Sequence, residues 1–163
     1  MTRIVVISDT HARSLDVLPP ELLAELTETD LVVHCGDYTS IHLLVELHQR
    51  AKRFIGVYGN MDPKEIRDEL PDKTVVEVEG IRIGVIHPFW GGPPSGIEED
   101  IAKEFDQVDL IIFGHTHDVC NRNIGGVVFL NPGQAYPSFR TPASAGVITI
   151  EQGGMKVEVK TFG

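Results

Sequence analysis

The chain has 163 residues, a formal charge of −10, and 42% hydrophobic and 23% charged residues, which suits one globular domain (1–163) with a real core and not comfortably two. The acidic balance argues against a non-specific grip on a nucleic-acid backbone, which relies on basic patches, and no apolar run approaches the length that spans a bilayer. Met1-Thr2-Arg3 leads straight into Ile4-Val5-Val6-Ile7, too short for a signal-peptide core, so a cytoplasmic protein without nucleic-acid or membrane partners is expected.

Arg3 to Ser8 is the first predicted strand, continuously apolar in its middle as a central parallel strand should be, and it runs out into Asp9-Thr10-His11. Pro19-Pro20 opens a helix with Leu22, Leu23 and Leu26 on one face. Leu31 to Cys35 is the second strand, closed by Gly36-Asp37-Tyr38, and His34 within it is expected to be a satisfied core histidine. Ser40 caps a helix to about Ala51, whose inner face is predicted to carry Ile41, Leu44 and Val45, with His42 and His48 read most simply as surface or boundary residues and His48 bordering the inner face. Phe54 to Tyr58 is the third strand and ends in Gly59-Asn60-Met61-Asp62-Pro63, where a short helix to about Leu70 begins.

Thr74–Val78 and Ile81–Ile86 flank Glu79-Gly80 as a hairpin, and its second strand ends at His87. Residues 88–96 are rich in Pro and Gly and read either as a plain connection or as a flap carrying Phe89 and Trp90 beside a site. A helix over Ile97–Phe105 leads to the strand Leu110–Phe113, which is followed by Gly114-His115-Thr116-His117. Glycine past a strand end permits close backbone approach, and alternate residues of an extended segment point the same way, so both imidazoles can face one cavity. Strands near Asn123–Ile124 and Val127–Leu130, the turn Asn131-Pro132-Gly133-Gln134, and a final hairpin of Ala145–Ile150 and Met155–Thr161 complete the chain. Cys35 and Cys120 form no ligand cluster and are expected to be reduced, small hydrophobes.

Five strand ends thus carry Asp, Asn or His: Asp9 with His11, Asp37, Asn60, His87, and His115 with His117. Parallel strands share a C-terminal edge, so these residues converge there. Mixed carboxylate, imidazole and amide donors suit manganese, iron, zinc, cobalt or nickel better than calcium or magnesium. Seven donors are too many for one ion with an open position and suit two ions about 3.5–4 Å apart, with Asp37 as the natural bridge.

The ordered series Asp-x-His, Gly-Asp, Gly-Asn, His, Gly-His-x-His resembles the calcineurin-like metallophosphoesterases, over nearly the whole chain. The short length and the Asn-Pro-Gly turn are similar to their small bacterial and archaeal phosphodiesterase branch. The resemblance implies an α/β fold of two β-sheets packed as a sandwich and flanked by helices, an αββα order of four layers. It implies one ion held by Asp9, His11, Asp37 and His117, and a second held by Asp37, Asn60, His87 and His115, with manganese the first choice. Asn60 and His87 would also act catalytically, through metal and phosphate contacts, on a small phosphate-ester substrate attacked in line by a metal-bridging hydroxide. A homo-oligomer is compatible with this.

Two departures stand out. Many relatives carry a histidine after Gly-Asn, where it assists the leaving oxygen; here Met61 stands, which can donate no proton, with Asp62 the nearest substitute. Relatives usually continue Gly, often His, after position 87; here Pro88-Phe89 follows, so an accessory histidine is absent. The alternatives are a phosphomonoesterase or nucleotide pyrophosphatase on the same site, and a non-catalytic scaffold like the retromer subunit that shares the fold. The scaffold predicts ligand losses, and none occurs among the seven positions.

Overall fold

The computed structural model describes residues 1–90, 97–139 and 141–162. Its strands in chain order are β1 (Thr2–Ile7), β2 (Leu31–His34), β3 (Phe54–Gly56), β4 (Lys73–Val78), β5 (Ile81–Ile86), β6 (Leu110–Phe113), β7 (Cys120–Ile124), β8 (Val127–Asn131), β9 (Ala143–Glu151) and β10 (Gly154–Phe162). The α-helices are α1 (Pro20–Glu28), α2 (Ile41–Arg50), α3 (Lys64–Glu69) and α4 (Ile97–Ala102). One sheet has the order β10-β9-β1-β2-β3 and the other β4-β5-β6-β8-β7. Each has a parallel middle, β1-β2-β3 in one and β5-β6-β8 in the other, with antiparallel partners outside it.

The period-2 alternation of the central strands builds the layers. Val5, Ile7 and Val32 face outward onto Leu22 and Leu26 of α1, Leu43, Leu44 and Leu47 of α2, and Ile66 of α3. Ile4, Val6, Leu31 and Val33 face inward and meet Ile83, Val85, Leu110 and Ile112 of the second sheet. On the far side Ile111 and Phe113 face out against Ile97 and Ile101 of α4. Strands apolar on both faces are what a sheet covered on both sides requires, and the result is the expected helix–sheet–sheet–helix order. No helix among the described residues is long and apolar enough to cross a membrane.

The differences from the sequence reading are local. β3 stops at Gly56, short of Tyr58, and α4 stops at Ala102, short of Phe105. Ser40 does cap α2, its side chain accepting from the His42 N–H, but the buried face of that helix is Leu43, Leu44 and Leu47. Val45, expected on the inner face, is 47% exposed, and His48 lies at the surface with its ring 4.8 Å from that of Phe54. The leucines alone fill the stripe a 3.6-residue repeat allows. Both cysteines are free, Cys35 buried and Cys120 half-buried.

His34 is a satisfied core residue. Its ring is fully buried and stacks on Tyr38 at 3.7 Å. The Gly36 N–H donates to Nδ1 at 3.0 Å, which leaves Nε2–H to bond Thr10 Oγ1 at 3.1 Å. Burial holds this imidazole neutral and lowers its pKa to about 3.

Two outcomes follow from this packing. Ile112→Ala, between the sheets, should cost about 2–5 kcal/mol in urea unfolding, and Val45→Ala within about 0.5 kcal/mol. The unfolded chain protonates His34 below about pH 6.5 while the folded chain does not until about pH 3, so its contribution is intact above pH 6.5 and is lost as pH falls toward 3. Between pH 6.5 and 5 the parent should therefore lose about 1.5 kcal/mol more than His34→Gln. Parallel stability curves for the two proteins would show that His34 titrates normally.

Candidate metal centre

The ends of β1, β2 and β3 in one sheet and of β5 and β6 in the other meet at one edge of the sandwich. Backbone bonds link them: the Asp9 N–H donates to the Gly36 carbonyl at 3.0 Å, the His11 N–H to the Asp37 carbonyl at 3.2 Å, and the Gly114 N–H to the Ile86 carbonyl at 3.4 Å. Gly114 lies so close to β1 that a Cβ there would overlap Ser8 Oγ, and at Gly59 a Cβ would overlap Asp37 Oδ1. These two glycines let the loops of different strands close on one another.

Extended alternation is not what aims the donors. Asp9, His11, Asp37, His115 and His117 have φ of 53°, 44°, 63°, 80° and 62°, in the left-handed region that non-glycine residues seldom enter. Such conformations cost on the order of 1–3 kcal/mol each and persist where surrounding bonds over-determine them. Asp62 supplies much of that determination at β2 and β3. It is 3% exposed; its Oδ2 accepts from the Asp37 N–H at 2.9 Å and the Gly59 N–H at 2.7 Å, and its Oδ1 from the Thr39 N–H at 2.7 Å. Both oxygens are occupied, so Asp62 serves as a backbone clamp and offers no proton to a leaving group.

The carboxylates are similarly committed on one side and open on the other. Asp9 Oδ2 accepts from Ser8 Oγ–H at 2.8 Å and the His115 N–H at 3.1 Å. Asp9 Oδ1 is buried without a hydrogen-bond partner among the described residues, as is Nε2 of His11, 3.9 Å away. His117 Nε2 lies 3.4 Å from the same Oδ1. Asp37 Oδ1 accepts from the Met61 N–H at 2.9 Å, while its Oδ2 stands 3.5 Å from His11 Nε2 and 3.4 Å from His87 Nε2. Asn60 Oδ1 is 2.9 Å from His87 Nε2.

The rings fall into two pairs, His11 with His117 at 5.3 Å and His87 with His115 at 5.2 Å between centroids. All seven residues expected from the sequence are therefore brought together, although His115 joins through its ring contact and its backbone N–H. Two donor groups have their atoms within 4.8 Å of one another: Asp9, His11 and His117, and Asp9, Asp37 and His87. Orphaned buried atoms aimed at one another are costly without a shared partner. A cation between them removes the cost, so the donor set fits divalent metal ions.

Two orienting groups were not foreseen in the sequence. The Cys35 carbonyl lies 2.8 Å from His87 Nδ1, and Gln134 Oε1 lies 3.3 Å from His117 Nδ1. Each accepts the proton of Nδ1 and leaves Nε2 to face the carboxylates, as metal-binding imidazoles require. Gln134 follows the end of β8, another parallel strand, so the strand-end pattern could have flagged it.

Electrostatics is consistent with a cation site. Burial would raise the Asp9 pKa, but His11 and His117 beside it outweigh burial and hold it well below the usual carboxylate range. Burial disfavours a charged His87, yet Asp37 and Asp9 raise its pKa, and Asp9 does the same for His117. Burial, helped by His87, lowers His115.

The comparisons with known proteins agree with the geometry. Residues 2–153 match the model of the calcineurin-like phosphoesterase superfamily domain. A probable metallophosphoesterase of Methanocaldococcus jannaschii is 37% identical over 131 residues, 78% of this chain and 65% of that protein. A phosphodiesterase of the same organism is 25% identical over 92% of this chain and 94% of its own length. A Thermotoga maritima protein solved by solution NMR is 35% identical with a TM-score of 0.78, covering 99% of this chain and all of that one. A Vps29 mutant from Entamoeba histolytica, 22% identical with a TM-score of 0.78 over 99% of both chains, shares the fold. With the family model matching nearly the whole chain and the strand-end donors gathered at one edge, the chain belongs to the calcineurin-like phosphoesterase superfamily.

Proposed function

We propose that the protein is a metal-dependent hydrolase of phosphodiesters, working with two divalent ions, manganese in the first instance. The observation that carries this reading is the position of Asp37 Oδ2, 3.5 Å from His11 Nε2 on one side and 3.4 Å from His87 Nε2 on the other. A carboxylate oxygen between two imidazoles that belong to separate ring pairs is placed to be shared. Asp9, His11, Asp37 and His117 would hold one ion, and Asp37, Asn60, His87 and His115 the other. Ions held there would ionise a water near neutral pH and neutralise charge on the phosphoryl oxygens.

The chain's own residues do the rest. The Cys35 carbonyl and Gln134 fix the tautomers of His87 and His117. Asp62 fixes the backbone that carries Asp37. Asn60 and His87 stand together at 2.9 Å on the side of the cluster where a phosphoryl oxygen can be met. A diester preference is supported by the relative named phosphodiesterase. The presence of all seven donors supports an enzyme over a scaffold.

Asp37→Ala should lose paired metal binding and lower turnover by more than about 100-fold, measured on the same sample by metal analysis and hydrolysis of a nitrophenyl diester. His42→Gln, on the surface of α2, is the control and should leave both unchanged. Two retained ions and normal turnover in Asp37→Ala would remove the shared role.

Met61 sets the second expectation. Its side chain is 59% exposed at the rim and has no proton to give, and Asp62 is occupied. General-acid help is worth about 10²–10⁴-fold, so the enzyme should favour activated leaving groups such as nitrophenolate strongly over alkoxides. A plot of log rate against leaving-group pKa should be steep for the parent and shallower for Met61→His. A flat parent plot would mean that another group supplies the proton.

A further inference from the structure

His11 lines more than the donor cluster. A cavity of about 280 Å³ opens beside it, bounded by Thr10, His11, Arg13, Val17, Tyr136 and Pro137. The Tyr136 ring is half-buried and meets the His11 ring edge-on, with centroids 6.1 Å apart and planes at 69°. Val17 is 53% exposed. A second, mainly apolar hollow of about 400 Å³, lined by Leu18, Pro19, Pro20 and Glu21, shares Val17 and Pro137 with the first, so a trough leads away from the cluster. Arg13 is exposed and, among the described residues, makes no salt bridge and no hydrogen bond.

We propose that this cavity receives the ester group that stays on phosphorus, and that this group is a planar aromatic ring, from a nucleoside or an aryl alcohol. The inference rests on the phosphodiesterase reading above. In-line displacement sends the leaving group away from the attacking side, opposite the carboxylate floor and toward solvent. A cavity at the flank of the cluster, sharing His11 with it, lies beside phosphorus and takes the retained group. The chemistry of the walls selects a ring. Tyr136 offers an aromatic surface and Pro137 and Val17 apolar ones, and ring-on-ring packing tolerates any base because each has a π-face. Arg13 supplies a planar cation that stacks on a ring or meets the charged diester, and unlike a lysine it does both in one geometry. On a chain of net charge −10, a guanidinium that has no partner among the described residues and lines the same cavity as His11 is a specific attraction for an anionic substrate and not part of a general basic field.

The test uses four diesters with the same nitrophenolate leaving group and different retained groups: thymidine, phenyl, methyl and decyl. Thymidine and phenyl esters should exceed the methyl ester in kcat/KM by about 10-fold or more. That ratio should fall to about 1 in Tyr136→Ala, and also in Val17→Asp, whose exposed position spares the fold. Thymidine above phenyl assigns a nucleoside, and equality of the two assigns an aryl group. Equal rates for all four, or a lead for decyl, overturn the proposal. An NMR titration with thymidine 5′-monophosphate against methyl phosphate separates the two readings. Tighter binding of the nucleotide, lost in Tyr136→Ala, without hydrolysis of any diester would keep the cavity's assignment and remove the hydrolase; neither binding nor hydrolysis would remove both.

Discussion

The structure turns on the placement of one carboxylate. Asp37 sits just past β2 with its backbone in a left-handed conformation and its Oδ2 between His11 from β1 and His87 from β5. Those histidines belong to different sheets, so the carboxylate joins the two halves of the sandwich at their common edge. Three N–H groups from two loops converge on Asp62 to hold that backbone. The strain at Asp9, His11, His115 and His117 has the same source: each donor leaves the strand direction to face a neighbour across the edge. The backbone cost at these five residues, on the order of 5–15 kcal/mol together, is offset by core layers that are apolar on both faces of both sheets.

Much of this was legible in the residues. Continuous apolar runs such as Ile4–Ile7 and Leu110–Phe113 read as buried strands, and a polar residue of ligand type past the end of each points to a site at a shared edge. The convergence of Asp9, His11, Asp37, Asn60, His87, His115 and His117 followed from that rule alone. What failed was the local reason: strand alternation was expected to aim the histidines, and left-handed turns do so instead. Asp and His are the non-glycine types that enter positive φ more readily, but which of them do so is set by tertiary bonds and not by local sequence. Val45 was misplaced because Leu43, Leu44 and Leu47 form the buried stripe of α2 and leave position 45 outside it. Asp62 read as a possible proton donor because two of its three backbone partners, Asp37 and Thr39, are distant in the chain. The flap over 88–96 falls largely on residues 91–96, outside the described residues; Phe89 and Trp90 are described, with their rings 5.3 Å apart and both partly exposed.

Several of the exposed apolar side chains lie near the donors. Met61, Phe89, Trp90, Val119 and Phe139 are exposed apolar side chains on an acidic chain, and Tyr136 and Val17 line the trough beside His11. Exposed apolar groups singly are ordinary. Here they lie in loops that follow the donor-bearing strands, the part of an α/β protein where substrate contacts are made.

The central claim is that Asp37 is shared by two divalent ions. A titration of the metal-free protein with Mn(II), followed by EPR, tests it directly. The account predicts that two equivalents bind and that the second produces the signal of an exchange-coupled pair, since one carboxylate connects both ions. One equivalent only, or two that remain magnetically independent, would contradict it.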